Sequence, residues 1–261
     1  MNMKMPVLFV GHGNPMNAIE CSEFHAAWAA LGRRLPKPQS ILCVSAHWET
    51  RNAYVTATEA PETIHDFYGF PKVLYDVRYP APGNPGLARR VVELVTSERV
   101  RLDPGRGLDH GAWSVLIAMY PAADVPVVQL SMDTSLPGRH HYTLARQLAP
   151  LRDENVLVLC SGNIVHNLPL FSFRDSKPQA WALQCDEELR QHIAAGRHDV
   201  LIGYAGRDVE ARLAVPTPEH YFPLLYAVAL QNPGETAEMF NSRVISSISM
   251  TSVLIGGPSQ G

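Results

Sequence analysis

Four short, predominantly apolar runs constrain the fold of this chain more than any other feature: "VLFV" (7–10), "ILCVS" (41–45), "VVQLS" (127–131) and "VLVLC" (156–160). None alternates apolar with polar residues, so none reads as a strand with one wet face. Continuous runs this short are expected of strands covered by helices on both sides. The segments between them supply such helices. "FHAAWAALGRRL" follows the first run, and "GLARRVVELVTSE" places Leu87, Val91 and Leu94/Val95 on one face. "TLARQLAPLRDE" leads into the fourth run, and "AWALQCDEELRQHI" carries Trp181, Cys185, Leu189 and Ile193 at i, i+4 spacing. Strands alternating with helices predict an α/β fold, a three-layer α/β/α arrangement around a central mostly parallel (mixed) sheet. A further stretch, "SSISMTSVLIG" (246–256), does alternate and fits an antiparallel or edge strand. The 261 residues contain no repeat and no linker-like tract, so a single domain over 1–261 is expected.

Charge and cysteine usage narrow the class. The net charge is −3 and the basic residues are scattered, "GRRLPK" (32–37) being the densest cluster, so no nucleic-acid partner is expected. No apolar run is long enough to span a bilayer, and "MNMKMPVLFV" has neither a signal-length apolar region nor a cleavage site. No membrane partner is therefore expected, and the location is read as cytoplasmic. Cys21, Cys43, Cys160 and Cys185 form no C-x-x-C pair; Cys43 and Cys160 lie in apolar runs, where a free thiol packs as a small hydrophobe.

The histidines follow the strand map. His12 lies two residues past the first run, His47 two past the second, and His166 follows the fourth through "SGNIV". His110 sits in "LDHGAW" before an apolar helix-like run, and His220 in "PTPEHYFPLLY" near a helix start. Ligands of open α/β sheets bind beyond the carboxyl ends of the strands, so three strand ends each delivering an imidazole predict a shared site. His25, His140, His141, His192 and His198 read as solvated or capping residues; His65, in the aromatic loop "TIHDFYGFP", fits either reading. A cluster of neutral imidazoles suits Zn²⁺ or Fe²⁺. No cysteine stands at ligand spacing, which favours an open catalytic site over a closed structural one. A serine hydrolase would use Ser45 or Ser161 with His166 as base, but "VSAH" and "CSGN" lack the G-x-S-x-G elbow. "GHGNP" is neither a dinucleotide fingerprint nor a P-loop. Asp133, just past "QLSM", either orients a ligand histidine or caps the following turn.

Seven segments, in order over nearly the whole chain, carry a resemblance: "PVLFVGHGNPMNAIE", "VSAHWETR", "PETIHDFYGFPKVLYDVRYPAPG", "LDHGAWSVLIAMYP", "VPVVQLSMD", "SGNIVHNL" and "TPEHYFPLLYA". Together they resemble the class III extradiol ring-cleavage dioxygenases, the 4,5-DOPA dioxygenase subfamily above all. The resemblance implies a single extradiol dioxygenase catalytic domain over 1–261. The implied reaction inserts both atoms of O2 into a catechol, DOPA-like or other, and opens the ring next to the hydroxyls. It implies His12, His47 and His220 as metal ligands, His166 as the acid/base or a fourth ligand, and His110 as a catalytic histidine beside the substrate and oxygen. Related protocatechuate-type enzymes complete the triad with a glutamate, which makes Glu219 the alternative to His220. Neighbours on a helix point about 100° apart, so one of the two is expected to ligate, and the subfamily favours His220. Fe(II) is expected for turnover, and Zn(II) fits the same site without redox chemistry. The expected partners are a small catechol and O2. A zinc-dependent hydrolase built on the same histidines is the alternative. "IHDFYGFP" either covers the substrate or packs on the core.

Overall fold

The apolar runs lie side by side at the centre of one sheet. The computed structural model describes residues 4–257, and the ends of the expected 1–261 domain, residues 1–3 and 258–261, lie outside them. In chain order the strands are β1 (Val7–Gly11), β2 (Ser40–Glu49), β3 (Tyr54–Thr56), β4 (Arg101–Asp103), β5 (Val127–Met132), β6 (Val156–Gly162), β7 (Ala237–Phe240), β8 (Val244–Ile245), β9 (Ile248–Ser249) and β10 (Ser252–Ile255). The helices are α1 (Glu23–Arg34), α2 (Lys72–Tyr75), α3 (Pro85–Leu94), α4 (His110–Met119), α5 (Gly138–Gln147), α6 (Ala180–Ala194), α7 (His198–Gly203), α8 (Val209–Ala214) and α9 (Phe222–Ala229).

The main sheet has the order β4-β3-β5-β2-β6-β1-β10-β7. Its central four strands, β5, β2, β6 and β1, are mutually parallel, and β3, β10 and β7 introduce the antiparallel pairings. Parallel pairing of β1, β2 and β6 brings their carboxyl ends to one edge, with Gly11 opposite Gly162 and Ser45 opposite Ser161. Why the runs are so apolar is visible in the packing. Val7, Phe9, Leu42, Val44, Val158 and Cys160 join one core with α3, α5, α6 and α9. Leu8, Val10, Ile41, Cys43, Leu157 and Leu159 join another with α1 and α4. Successive side chains face opposite sides, and both sides are dry. Full burial of each large apolar side chain contributes roughly 1.5–3 kcal/mol.

The helices keep the stripes read from the sequence, with ends set by local chemistry. Ser22 caps α1 by accepting the His25 N–H, Asn84 caps α3 ahead of Pro85, and Asp109 caps α4 by accepting from Ala112 N. On α6, Cys185, Leu189 and Ile193 are buried, whereas Trp181 is half-buried. The "TLARQLAPLRDE" pattern begins earlier, at Gly138, and breaks into a 3₁₀ turn over Ala149–Arg152, because Pro150 cannot continue an α-helix.

Two expectations need correction. β2 does not stop at Ser45 but runs to Glu49, with a register shift against β5 between Val44 and Glu49, so His47 belongs to the strand. The alternating "SSISMTSVLIG" is antiparallel as expected but not at the edge, since β10 lies between β1 and β7. Its polar residues do not face water either: Ser249 and Thr251 are buried and both donate to Asp186 Oδ1, at 2.6 and 2.7 Å. Among the described residues no helix is long and apolar enough to cross a membrane.

Candidate metal centre

At the carboxyl edge the chain gathers five imidazoles. His12 follows β1 directly, its amide donating to Gly162 O at 3.1 Å, and Gly13 takes φ +58, a left-handed turn natural for glycine. His47 sits in the irregular stretch of β2. Bulged residues lose ladder partners, and side chains replace them here. The His47 N–H donates to Ser45 Oγ at 3.2 Å, and Arg106 donates to His47 O at 3.2 Å. His220 lies in the turn before α9, held against β6 by Asn163 N–H donating to His220 O at 2.8 Å. A Cβ on Gly162 would stand 2.1 Å from that same carbonyl oxygen, so only glycine admits so close an approach.

The His12, His47 and His220 rings form a near-equilateral triangle, with centroids 5.0, 5.4 and 5.1 Å apart. One nitrogen from each lies within 4.8 Å of the others. Their tautomers follow from the outer contacts. Ser161 Oγ donates its single proton to Gly111 O at 2.6 Å, so it accepts from His12 Nδ1–H at 3.0 Å. Glu219 Oε1 accepts from His220 Nδ1–H at 3.1 Å, and Asp66 Oδ2 faces His47 Nδ1 at 3.5 Å. The Nε2 lone pairs are left inside. His12 Nε2 and His47 Nε2 stand 3.0 Å apart, a repulsive pair unless a cation shares them. Metal–nitrogen bonds of about 2.1 Å bring neighbouring donors to about this separation. The donor set therefore fits a divalent transition metal with a carboxylate or hydroxyl behind each histidine. Burial first, then mutual repulsion among the imidazoles, pushes the His12 and His47 pKa values well below the ordinary range; burial likewise lowers His220 against the opposing Glu219. All three are thus neutral, with lone pairs free for a metal, at neutral pH.

His110 and His166 flank the triangle. His110, the first residue of α4, packs on His47 at 3.9 Å between centroids. His166 stacks on His220 at 3.6 Å and 9°. Its pKa is not near neutrality, as an acid/base imidazole would suggest. Burial, then His220, lowers it to about 3, so His166 is an unprotonated base at neutral pH. The helical argument for choosing between Glu219 and His220 fails, because the helix does not reach them: α9 starts at Phe222, and both side chains lie together in the preceding turn. Burial raises the Glu219 carboxyl, but His220 outweighs it and brings the value down to about 2.

Other residues fall outside this constellation. His65 Nε2 contacts Val77 O at 3.1 Å and its ring packs among Phe67, Tyr75 and Trp113. Asp133 caps its own turn by accepting the Ser135 N–H and also accepts the Asn52 N–H from the β2–β3 connection. His141 is not on the surface: it is buried between Phe222 and Tyr226 because that side of α5 packs on α9. Neither serine reaches His166: Ser45 Oγ donates to Asp109 at 2.7 Å, and the Ser161 proton is committed to Gly111 O. "IHDFYGFP" packs inward through Phe67, which meets His110 edge-on at 5.6 Å, and leaves Tyr68 almost fully exposed. Asp66, in that loop, carries no signal in the sequence beyond its adjacency to His65.

The family model described as "Catalytic LigB subunit of aromatic ring-opening dioxygenase" matches residues 6–253. The chain belongs to the LigB family. Among its relatives is a protein of Escherichia coli K12 named 4,5-DOPA dioxygenase extradiol, 46% identical over 97% of this chain and 95% of its own length. A Beta vulgaris protein of the same name is 39% identical over 90% of each chain. The crystal structure of an uncharacterised E. coli K12 protein superposes with a TM-score of 0.84 at 43% identity, over 97% of this chain and all of that one. This LigB-family chain is therefore a ring-cleaving, extradiol-type dioxygenase, and dioxygenases of its family use a metal.

Proposed function

We propose that the chain opens the ring of a DOPA-like catechol next to its hydroxyls, with O2 as co-substrate, at one metal ion held by Nε2 of His12, His47 and His220. The observation that carries this reading is the convergence of three nitrogens, from the buried His12 and His220 and the half-buried His47, whose Nδ1 sides each face a separate partner. The relatives' shared name supports a DOPA-like substrate. Fe(II) is the ion proposed for turnover, with Zn(II) competing for the same donors. Bound there, iron would supply Lewis acidity toward the catechol oxygens and an electron path to O2, of which zinc offers only the first.

The protein's own groups do the rest. In this reading Glu219, which accepts from His220 Nδ1–H, orients that ring rather than ligating, and its carboxylate stays ionised beside His166. His166, unprotonated, takes the second catechol proton; the neighbouring carboxylate balances the imidazolium until the proton returns to the opening ring. His110 contacts the substrate and oxygen side, and the half-buried Phe67, edge-on to His110 and backed by the buried Trp113, offers an apolar face for an aromatic ring. The whole 1–261 chain acts as one cytoplasmic catalytic domain that engages neither nucleic acid nor membrane.

Metal analysis of purified protein is expected to find about one transition-metal ion per chain, and none in His12→Ala. Unchanged metal content in that variant overturns the ligand set. Anaerobically Fe²⁺-loaded enzyme mixed with L-DOPA is expected to consume O2 and form a yellow product, whereas the Zn²⁺-loaded form does neither. His166→Ala should keep its metal and lose most turnover; loss of metal would make His166 a ligand.

A further inference from the structure

One carboxylate in the loop leading to α2 touches two imidazoles with different roles. Asp66 Oδ2 lies 3.0 Å from His110 Nδ1 and 3.5 Å from His47 Nδ1, while Asp66 Oδ1 accepts the His110 backbone N–H at 2.9 Å. The two rings pack against each other at 3.9 Å, so a shift of either moves the other. Among the described residues His110 Nδ1 has no aligned hydrogen-bond partner, which leaves Asp66 as the charge it faces. The chain on either side of Asp66 is held in place. Ile64 O accepts from Trp113 Nε1 at 2.8 Å, and Phe67 sits edge-on to His110 at 5.6 Å. Loop and helix α4 thus fix Asp66 between residues 64 and 67, with its side chain only 20% exposed.

We propose that Asp66 is a positioning residue that acts through His47 and His110 together, fixing the Nδ1 side of both rings so that each presents Nε2 to the reaction site. This inference rests on the metal-dependent reading above. A carboxylate behind one ligand histidine is a common arrangement. Here the same carboxylate also sets the ring beside the substrate, so metal retention and turnover are coupled through one residue. Loss of Asp66 should therefore leave two separable marks: weaker metal through His47, and slower chemistry through His110.

The test uses Asp66→Asn, which keeps an acceptor for the His110 amide but offers N–H donors where the rings need an acceptor, and Asp66→Glu as the conservative control. Zn²⁺ affinity of the metal-free protein, by competition with a chromophoric chelator, reads the His47 arm. The kcat and KM for L-DOPA at saturating Fe²⁺ read the His110 arm. Asp66→Asn should bind Zn²⁺ about 10- to 100-fold more weakly. Its kcat should fall with little change in KM, and Asp66→Glu should recover part of both losses. In a His110→Phe background, Asp66→Asn should still weaken Zn²⁺ binding but leave kcat where His110→Phe already put it. Wild-type Zn²⁺ affinity in a variant with an unchanged unfolding midpoint would overturn the proposal, as would kcat losses that multiply in the double variant. If the wild type bound Zn²⁺ but consumed no O2, the ring-cleavage reading would fail, and the Zn²⁺ arm would still decide the hold of Asp66 on His47.

Discussion

The three candidate ligands differ in what stands behind them, and that difference has consequences at the scale of single atoms. Carboxylates back His47 and His220, but a neutral hydroxyl backs His12. Ser161 can accept from His12 only because its own proton goes to Gly111 O. Replacing it with alanine leaves a buried Nδ1–H without an acceptor, a desolvation cost of about 1–3 kcal/mol. Ser161→Ala is expected to weaken Zn²⁺ about tenfold or more while the fold persists; a chelator competition with no change would show that another group satisfies His12. The sequence shows these residues unevenly. His12, His47 and His166 are legible because each follows an apolar run, and a strand delivers its next residues to a known edge. The role of Ser161 is not legible, because its decisive partner, Gly111, lies fifty residues away. Asp66 escapes for the same reason: its meaning lies in two rings from β2 and α4, neither near it in sequence.

At the scale of elements, the site depends on two places where regular structure is broken. The register shift in β2 turns His47 inward, and Ser45 and Arg106 replace the lost ladder contacts. The turn before α9 brings His220 against β6, which only glycine at 162 permits. Gly162→Ala pushes a methyl group into the His220 carbonyl, and backbone there cannot yield as a flexible side chain would. Overpacking of this kind costs typically 1–3 kcal/mol. We expect a lower midpoint in urea together with reduced Zn²⁺ affinity; a destabilised variant with wild-type affinity would show that the turn absorbs the strain without moving His220. The long apolar strands and amphipathic helices could be read in advance because burial on both faces leaves a strong pattern. The three-residue strands β3 and β4 could not, since three residues carry no period, and the extension of β2 could not, since "HWE" continues the strand without continuing the apolar run.

For the molecule as a whole, histidines kept neutral by burial make stability depend on pH. His141 isolates the effect, because it lies outside the metal triangle, between α5 and α9. Burial first, then His140, lowers its pKa from 6.5 to about 4. Among the described residues its Nε2 is buried without a hydrogen-bond partner, and burial outweighs the Asp133 carboxylate and the backbone groups of Asp133 and Leu136, which favour the charged form. Between pH 6.5 and about 4 the unfolded chain carries the proton and the folded chain does not. Stability therefore falls as pH falls through that window, by about 3 kcal/mol from this residue alone, and the loss is complete below the folded value. His12, His47 and His220 act in the same direction in the metal-free protein, so His141 has to be read as a difference. Urea unfolding of metal-free wild type and His141→Phe, at steps across this range, should give curves that converge as the pH drops, the variant losing about 3 kcal/mol less. Parallel curves would mean that the folded protein takes up the His141 proton as readily as the unfolded chain, and that α5 and α9 part to let water reach it.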